Sequence, residues 1–368
     1  MTKSTPLSVE NMNIKKIVII GGGIAGMEAA ASLSERGHSI TLIESKASLG
    51  GNVANWEKLF PTLRNSSEVI DYLTKRIESP RIATITHTNV ENIKQTSSGF
   101  SVEAKGMALD ADAVLVATGY DVFDSRRKEE FGYGIYDNVI SSADLEQRFK
   151  TKMPITTANG SEPKRVSFIH CVGSRDEKAG NHYCSKVCCV TGVKQAIELR
   201  QLLPKTDIVC FYIDLRMFGA GFEELYREAQ EKWGIQFVRG RLSEAAENMD
   251  GSLQIKAEDT LSGRPLKMRS DLIVLLAGME PSCGTASLGK NLGLEQRMGK
   301  FLKPMDEHLL SNKCSIDGLF VAGTCTGPMT INETITDARS AAVMIDEYLK
   351  GLTPSPSPKE RGVTATKM

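Results

Sequence analysis

An apolar strand that runs into a cluster of glycines and then into an alanine-rich helix leaves a chain few folds to choose from. Here the run is Lys15-Lys-Ile-Val-Ile-Ile20, then Gly21-Gly22-Gly23-Ile24-Ala25-Gly26-Met27-Glu28-Ala29-Ala30, then Gly37-His38-Ser39-Ile40-Thr41-Leu42-Ile43-Glu44. Strand, Gly-x-Gly-x-x-Gly turn, helix, second strand and terminal acid make up the βαβ dinucleotide fingerprint in its required context. Gly21 permits the tight turn, and Gly23 lets the backbone approach a pyrophosphate. Gly26 lets the helix pack on the strand, while Ile24 and Ala25 open a helix whose N-terminus offers unpaired N–H groups and positive dipole charge. Glu44 is placed to hold a pair of ribose hydroxyls. The stretch predicts a bound ADP moiety.

The residues after Glu44 decide the cofactor. They are Ser45-Lys46-Ala47-Ser48-Leu49-Gly50-Gly51-Asn52, and a second glycine pair at this distance resembles the two-dinucleotide-binding-domain flavoproteins, in which FAD occupies the first nucleotide domain. Asp112-Ala-Val-Leu-Val-Ala117-Thr118-Gly119 and Asp317-Gly-Leu-Phe-Val-Ala322-Gly323-Thr324 support the resemblance, which implies that both lie against FAD. Many relatives carry an aspartate where this chain has Thr324. Val90 is the expected backbone contact for the adenine. The last helix opens at Ile331, with Thr330 and Glu333 as a capping box, and the resemblance aims its N-terminus at the flavin.

The 45 basic and 45 acidic residues cancel, so nothing suggests electrostatic binding of nucleic acid or an anionic membrane. No apolar run approaches the roughly 20 residues of a membrane span, and the first ten residues lack a signal-peptide core. A cytoplasmic location is expected. Eight cysteines, four of them in one short region, read as metal chemistry in a reducing compartment and not as a disulfide framework.

The organisation read along the chain is α/β: a disordered lead-in over 1–13, a discontinuous FAD domain over 14–125 and 282–350, a linker over 126–163 with one helix from Ser142 to Phe149, a second nucleotide-domain-like unit over 164–281, and a disordered tail over 351–368. In the second unit Arg165 to His170 is a strand, Ser185 to Leu203 a helix and Asp207 to Asp214 a strand. Phe222 to Trp233 is a helix and Gln236 to Arg239 a strand, and Leu253–Ala257, Leu266–Arg269 and Leu272–Ala277 close the unit as a meander. The loop from Asn55 to Asn65 is expected to cover cofactor.

At the first strand-to-helix turn of the second unit the glycine fingerprint is missing. In its place stand His170-Cys171-Val172-Gly173-Ser174-Arg175 and Asn181-His182-Tyr183-Cys184-Ser185-Lys186-Val187-Cys188-Cys189, a Cys-x12-Cys-x3-Cys-Cys pattern. The last three cysteines lie within a six-residue turn that opens a helix, and a helical or near-helical start places their sulfurs around one small volume, with Cys171 approaching from the strand. Four converging thiolates suit a 4Fe-4S cluster. A structural zinc also accepts four cysteines, but its usual Cys-x2-Cys knuckles are absent. A redox-active Cys-x-x-Cys pair does not occur in the chain. His170 and His182 read as hydrogen-bonding neighbours. Lys194 is a weak candidate for placing charge near flavin or cluster, the plainer reading being an exposed helix lysine. Cys210, Cys283, Cys314 and Cys325 are isolated.

The segments Cys171-Val-Gly-Ser-Arg-Asp176, Tyr183-Cys-Ser-Lys-Val-Cys-Cys189 with Lys194-Gln-Ala196, Tyr133-Gly-Ile-Tyr136 with Asn138-Val-Ile140, and Asp214-Leu-Arg216 with Gly219 resemble the A-type subunit of heterodisulfide reductases. That resemblance implies a thioredoxin-reductase-like fold carrying FAD and one 4Fe-4S cluster, with Cys171, Cys184, Cys188 and Cys189 as ligands. The implied partners are B- and C-type iron-sulfur subunits or electron carriers, with a homodimer as a further option. Ferredoxin-type cysteine modules are missing from this sequence, as in the short heterodisulfide-reductase-like subunits of bacterial sulfur oxidation or the flavoprotein subunit of quinone-interacting oxidoreductases. Two other readings stay open: a free-standing NAD(P)H-dependent FAD reductase, and a zinc-stabilised scaffold.

Overall fold

The computed structural model of the chain describes residues 14–351, so the lead-in over 1–13 and the tail beyond 351 lie outside the described residues. Lys16–Ile20 forms the central strand of a five-stranded parallel sheet, in the order Leu319–Val321, Ala113–Val116, Lys16–Ile20, Ser39–Ile43, Ile82–Ile85. Its Ile17, Val18, Ile19 and Ile20 are all buried, which is why the run is continuous and not alternating: a parallel strand has both faces covered. The helix Ile24–Glu35 is buried at every residue except Glu35. It is wedged among the sheet, the helix Ser66–Ile77 and the helix Ile331–Leu349, and its alanines let it fit there.

The second unit repeats this plan. Arg165–Val172 is central, Asp207–Tyr212 and Gln236–Arg239 lie to one side, and Leu272–Ala277 and Val139–Ser141 lie to the other, all parallel. Each unit adds a three-stranded antiparallel sheet: Val90–Thr96, Gly99–Ala104 and Met107–Ala111 in the first, Leu242–Glu247, Leu253–Asp259 and Arg264–Ser270 in the second. Tyr120–Val122 pairs with Met279–Pro281 where the chain passes between the units. Strand for strand, Arg165–Val172 stands in the second sheet where Lys16–Ile20 stands in the first. The turn around Cys171 and Gly173 is therefore the counterpart of the glycine turn.

Several elements differ from expectation. The stretch 126–163, read as a linker holding one helix from Ser142 to Phe149, has that helix as Ser142–Lys150, capped by Ser141 Oγ accepting from the Asp144 N–H, and adds the unexpected edge strand Val139–Ser141. A three-residue strand is too short for periodicity to register; Val139 and Ile140 form it because Leu272–Ala277 lies alongside. Leu272–Ala277 belongs to the parallel sheet and not to the meander, as its continuous burial requires. The meander's remaining strand is Leu242–Glu247, whose Ser, Glu and Ala residues hide it from a propensity reading. The helix Cys283–Asn291, capped by Ser282 Oγ accepting from Thr285, was not foreseen.

One buried carboxylate ties the first unit together. Glu28 accepts two hydrogen bonds of 2.7 Å from Arg76 Nη1 and one of 2.8 Å from Arg339 Nε, joining three helices. Glu28→Gln is expected to lower unfolding stability by about 3 kcal/mol, the lower end for breaking a buried ion pair, because Arg76 keeps some solvent contact. Urea denaturation checks it; a midpoint unchanged from the parent would show that the pairs contribute nothing.

Candidate functional site

The three glycines of the first turn do three different things. Gly21 has φ +109°, and a Cβ there would lie 2.3 Å from Ala117 O; a Cβ on Gly26 would lie 1.8 Å from Gly21 O. These two press strand and helix together. A Cβ on Gly23 would meet only Gly51 Cα, at 3.9 Å, so its free side faces open space. Gly51, at φ +60°, faces back across the gap. Gly22, which the pattern leaves unassigned, gives its N–H to Glu44 Oε2 at 2.7 Å, and a Cβ there would strike Leu49 and the Glu44 side chain.

The open space is a large cleft running from the first unit towards the second. Gly21, Gly23, Ile24, Ala25, Glu44, Ser45, Lys46, Gly50, Gly51, Asn52, Val90, Ala117, Thr118, Gly119, Thr324 and Ile331 all line it. Gly26 and Gly323 do not. Gly26 sits behind the wall, and Gly323, at φ +75°, donates its N–H to Asp337 Oδ2 at 2.6 Å with Ala25 packed against it. Glu44 is buried and is oriented by the Gly22 N–H, the Lys46 N–H at 2.7 Å and Ser45 Oγ at 3.0 Å. A carboxylate held this way at the end of the second strand suits a vicinal diol.

The other wall comes partly from the loop expected to cover cofactor and partly from residues the sequence reading missed. Trp56, Lys58, Leu59 and Phe60 border the cleft from the loop expected to cover cofactor, Ser282 to Gly284 from the unforeseen helix, and Val187, Thr191 and Lys194 from the second unit. Lys194 is not an exposed helix lysine. Its side chain is 2% exposed; the ammonium pairs with Glu146, lies 2.8 Å from Glu198 Oε2 and donates to Lys58 O at 3.1 Å. Burial pushes the Glu198 carboxyl up, against the pull of Lys194. One cation thus serves two buried carboxylates at the cleft wall.

The cysteine turn adjoins that wall, to which it gives Val187. Cys171 is the penultimate residue of the central strand of the second unit, at φ +62°, and Cys188 and Cys189 open the helix Cys188–Leu202, where dipole and free N–H groups favour thiolates. The helix was expected from Ser185. It starts three residues later because Ser185 Oγ is bound to Ser174 and to the Met279 N–H, and because Lys186 takes φ +64°. Cys184 is therefore on the turn and not on the helix, with its Sγ accepting the Lys186 N–H at 3.3 Å. Cys188 is hydrogen-bonded to both Cys171 and Cys189; the sharing pushes Cys188 up and holds Cys171 and Cys189 down, His170 adding to the effect on Cys189. Arg175 feels the charge of both Cys171 and Cys184.

Among the described residues no group of three or more His, Cys, Asp or Glu side chains is already spaced to hold a metal ion. Two observations nevertheless fit a thiolate-bound group. His170 is buried beside Cys189 and Gly192 and helps hold the Cys189 thiol down, and the donor set is four thiols with a nearby guanidinium. His182 is exposed. Cys210, Cys314 and Cys325 are buried in apolar surroundings that push their thiols up, whereas Cys283 is exposed at the rim of the cleft.

The counterpart turn is filled where the first is open. Gly173 has φ +69°, but a Cβ there would lie 2.2 Å from the Phe123 ring, which fills the side left open at Gly23. Asp214, just beyond the second strand as Glu44 is in the first unit, is engaged by Arg175 at 2.8 Å and Arg239 at 3.5 Å.

Residues 15–342 match the family described as pyridine nucleotide-disulphide oxidoreductase. The chain belongs to that family. Curated relatives of this pyridine nucleotide-disulphide oxidoreductase include the A-type iron-sulfur subunit of the CoB--CoM heterodisulfide reductase of Methanocaldococcus jannaschii, 31% identical over 89% of this chain and 63% of the relative. Another is the A-type subunit of the H(2):CoB-CoM heterodisulfide,ferredoxin reductase of Methanothermobacter marburgensis, 29% identical over 92% of this chain and 64% of the relative. The chain thus spans less than two thirds of these relatives. The likeness to the A-type subunit drawn from the cysteine segments holds over nearly all of it. Thioredoxin reductases of T. acidophilum (TM-score 0.62, 16% identity, 92% of this chain and 100% of that one) and Lactococcus lactis (0.65, 17%, 92% and 99%) share the fold, as the thioredoxin-reductase-like reading expects. No described helix is long and apolar enough to cross a membrane.

The two turns make opposite predictions for one added methyl group. Compared in flavin-free form, Gly23→Ala makes only an ordinary contact with Gly51 Cα and should leave the thermal midpoint within about 2 °C of the parent, whereas Gly173→Ala must displace Phe123 and adopt a strained φ, lowering it by about 5 °C or more. Circular dichroism melts of the two variants decide it; equal midpoints would show that the second turn is not filled as described.

Proposed function

We propose that the protein is a subunit of a heterodisulfide-reductase-like oxidoreductase complex of sulfur metabolism that carries electrons between FAD and a 4Fe-4S cluster. The observation that supports this best is the contrast between the two equivalent turns. Gly23 turns open backbone towards a cleft bordered by Glu44, whereas the turn around Gly173 is filled by Phe123 and gathers thiols.

Glu44 and the backbone of Gly21 to Ala25 would hold the ADP half of FAD, with Ser45, Lys46, Gly50, Gly51, Asn52 and Val90 around it. Ala117, Thr118, Gly119, Thr324 and Ile331 would border the rest, with Gly26 and Gly323 shaping the wall behind. The helix Ile331–Leu349 presents its N-terminus there, where its dipole favours negative charge. Lys194 presents a buried ammonium at the cleft wall, fixed in place by Glu146 and Glu198. Cys171, Cys184, Cys188 and Cys189 would hold the cluster, with Arg175 and His170 facing the thiolates. When bound, FAD supplies one- and two-electron chemistry and the cluster one-electron chemistry. The fitting partners are B- and C-type iron-sulfur subunits, since the curated relatives are named as subunits of heterodisulfide reductases. A cytoplasmic location agrees with eight free cysteines.

The competing reading is a free-standing NAD(P)H-dependent flavin reductase, which the family's name brings to mind. Anaerobic purification with iron, sulfide and flavin analysis tests the proposal. The parent should contain all three; serine at any of the four cysteines should lose the iron and keep the flavin; Gly23→Ala should lose most of the flavin and keep the iron. Stopped-flow mixing with NADH or NADPH should leave the flavin oxidised. Rapid bleaching by either nucleotide, undiminished in Cys184→Ser, would overturn the proposal in favour of its rival.

A further inference from the structure

The cysteine turn is fastened residue by residue. Ser185 Oγ lies 3.0 Å from Ser174 Oγ and accepts the Met279 N–H at 2.8 Å. Tyr183 donates its hydroxyl to Met279 O at 2.8 Å and sets its ring edge-on to Phe301, with centroids 5.3 Å apart. Lys186 makes a connection of another kind. Its N–H donates to Cys184 Sγ at 3.3 Å, while its ammonium pairs with Glu333 Oε1. Glu333 is the third residue of the helix Ile331–Leu349, and its other oxygen accepts from the Thr330 N–H at 2.9 Å and Thr330 Oγ1 at 3.0 Å. Thr330 and Ile331 line the cleft. One residue thus links a thiol of the second unit to the helix end that faces the cleft in the first.

The backbone at Lys186 sharpens the point. At φ +64° a glycine would be unstrained, and a non-glycine residue there persists only where its surroundings hold it. What a glycine could not supply is the ammonium that reaches Glu333.

We infer that Lys186 is a positioning residue that locks the cysteine turn onto the N-terminus of the last helix, so that the thiols and the cleft keep one separation and one orientation. The purpose of the lock rests on the flavin and iron-sulfur reading, because electron tunnelling falls steeply with separation; the lock itself belongs to the protein's own side chains.

Amide hydrogen exchange over 183–187, measured on the full chain as purified, tests the lock. Lys186→Met and Glu333→Gln should each speed exchange about two- to five-fold at low salt, the scale of an ion pair of this exposure. Lys186→Arg should restore it, and the double variant should exchange no faster than either single one. The differences should shrink in roughly 1 M salt, as a part-exposed pair is screened, a response that a packing defect would not show. Unchanged exchange in Lys186→Met, or additive effects in the double variant, would overturn the inference. A second readout is freeze-quench spectroscopy of electron arrival at iron and flavin, expected to slow in Lys186→Met at unchanged cofactor content. Rates equal to the parent's, with both cofactors present, would also overturn it. A parent without iron would sink the function proposed above while the exchange data still decide the lock.

Discussion

A helix can begin this close to the end of a strand only because two glycines face each other there. The space where a Cβ on Gly26 would sit is occupied by the carbonyl oxygen of Gly21, itself backed against Ala117. The contact aims the first N–H groups of the helix Ile24–Glu35 at the cleft and leaves Gly23 as bare backbone on its floor. It also explains the burial of that helix, since a helix so close to the sheet must be covered by others, and Glu28 with its two arginines fastens those covers.

The second unit repeats the architecture and uses the same corner for another purpose. Its central strand carries Cys171 near its end in place of a run of glycines, and Phe123 closes over Gly173. The helix start that in the first unit faces a cleft here carries Cys188 and Cys189. Equivalent backbone positions thus acquire different chemistry through side chains alone, one corner stripped to present N–H groups and the other crowded to present sulfur.

The two corners are brought together by contacts on both sides of the cleft. On one side Phe60 packs edge-on against Phe222, the Glu57 N–H reaches Glu146, and Lys194 reaches Lys58 O. On the other, Tyr183 meets Phe301 and Lys186 meets Glu333. The charged groups that line or border the cleft therefore come from both units, and neither unit alone would form its walls.

The sequence determined what depends on short-range pattern. The glycine spacing, Glu44 at the end of the next strand, the capping box of Thr330 and Glu333, and the thiol spacing were all legible, because each is a local steric or hydrogen-bonding requirement written within a few residues. Lys194 looked like a solvated helix lysine, since nothing local shows that Glu146, far away in the chain, will neutralise it. Val139–Ser141 looked like linker because a three-residue strand is specified by its neighbour. The helix looked as though it began at Ser185 until Ser174 and Met279 claimed that side chain. Only tertiary structure decided these, for one physical reason: burial, ion pairing and strand pairing are set by groups distant in sequence, and no local pattern records which of them will arrive.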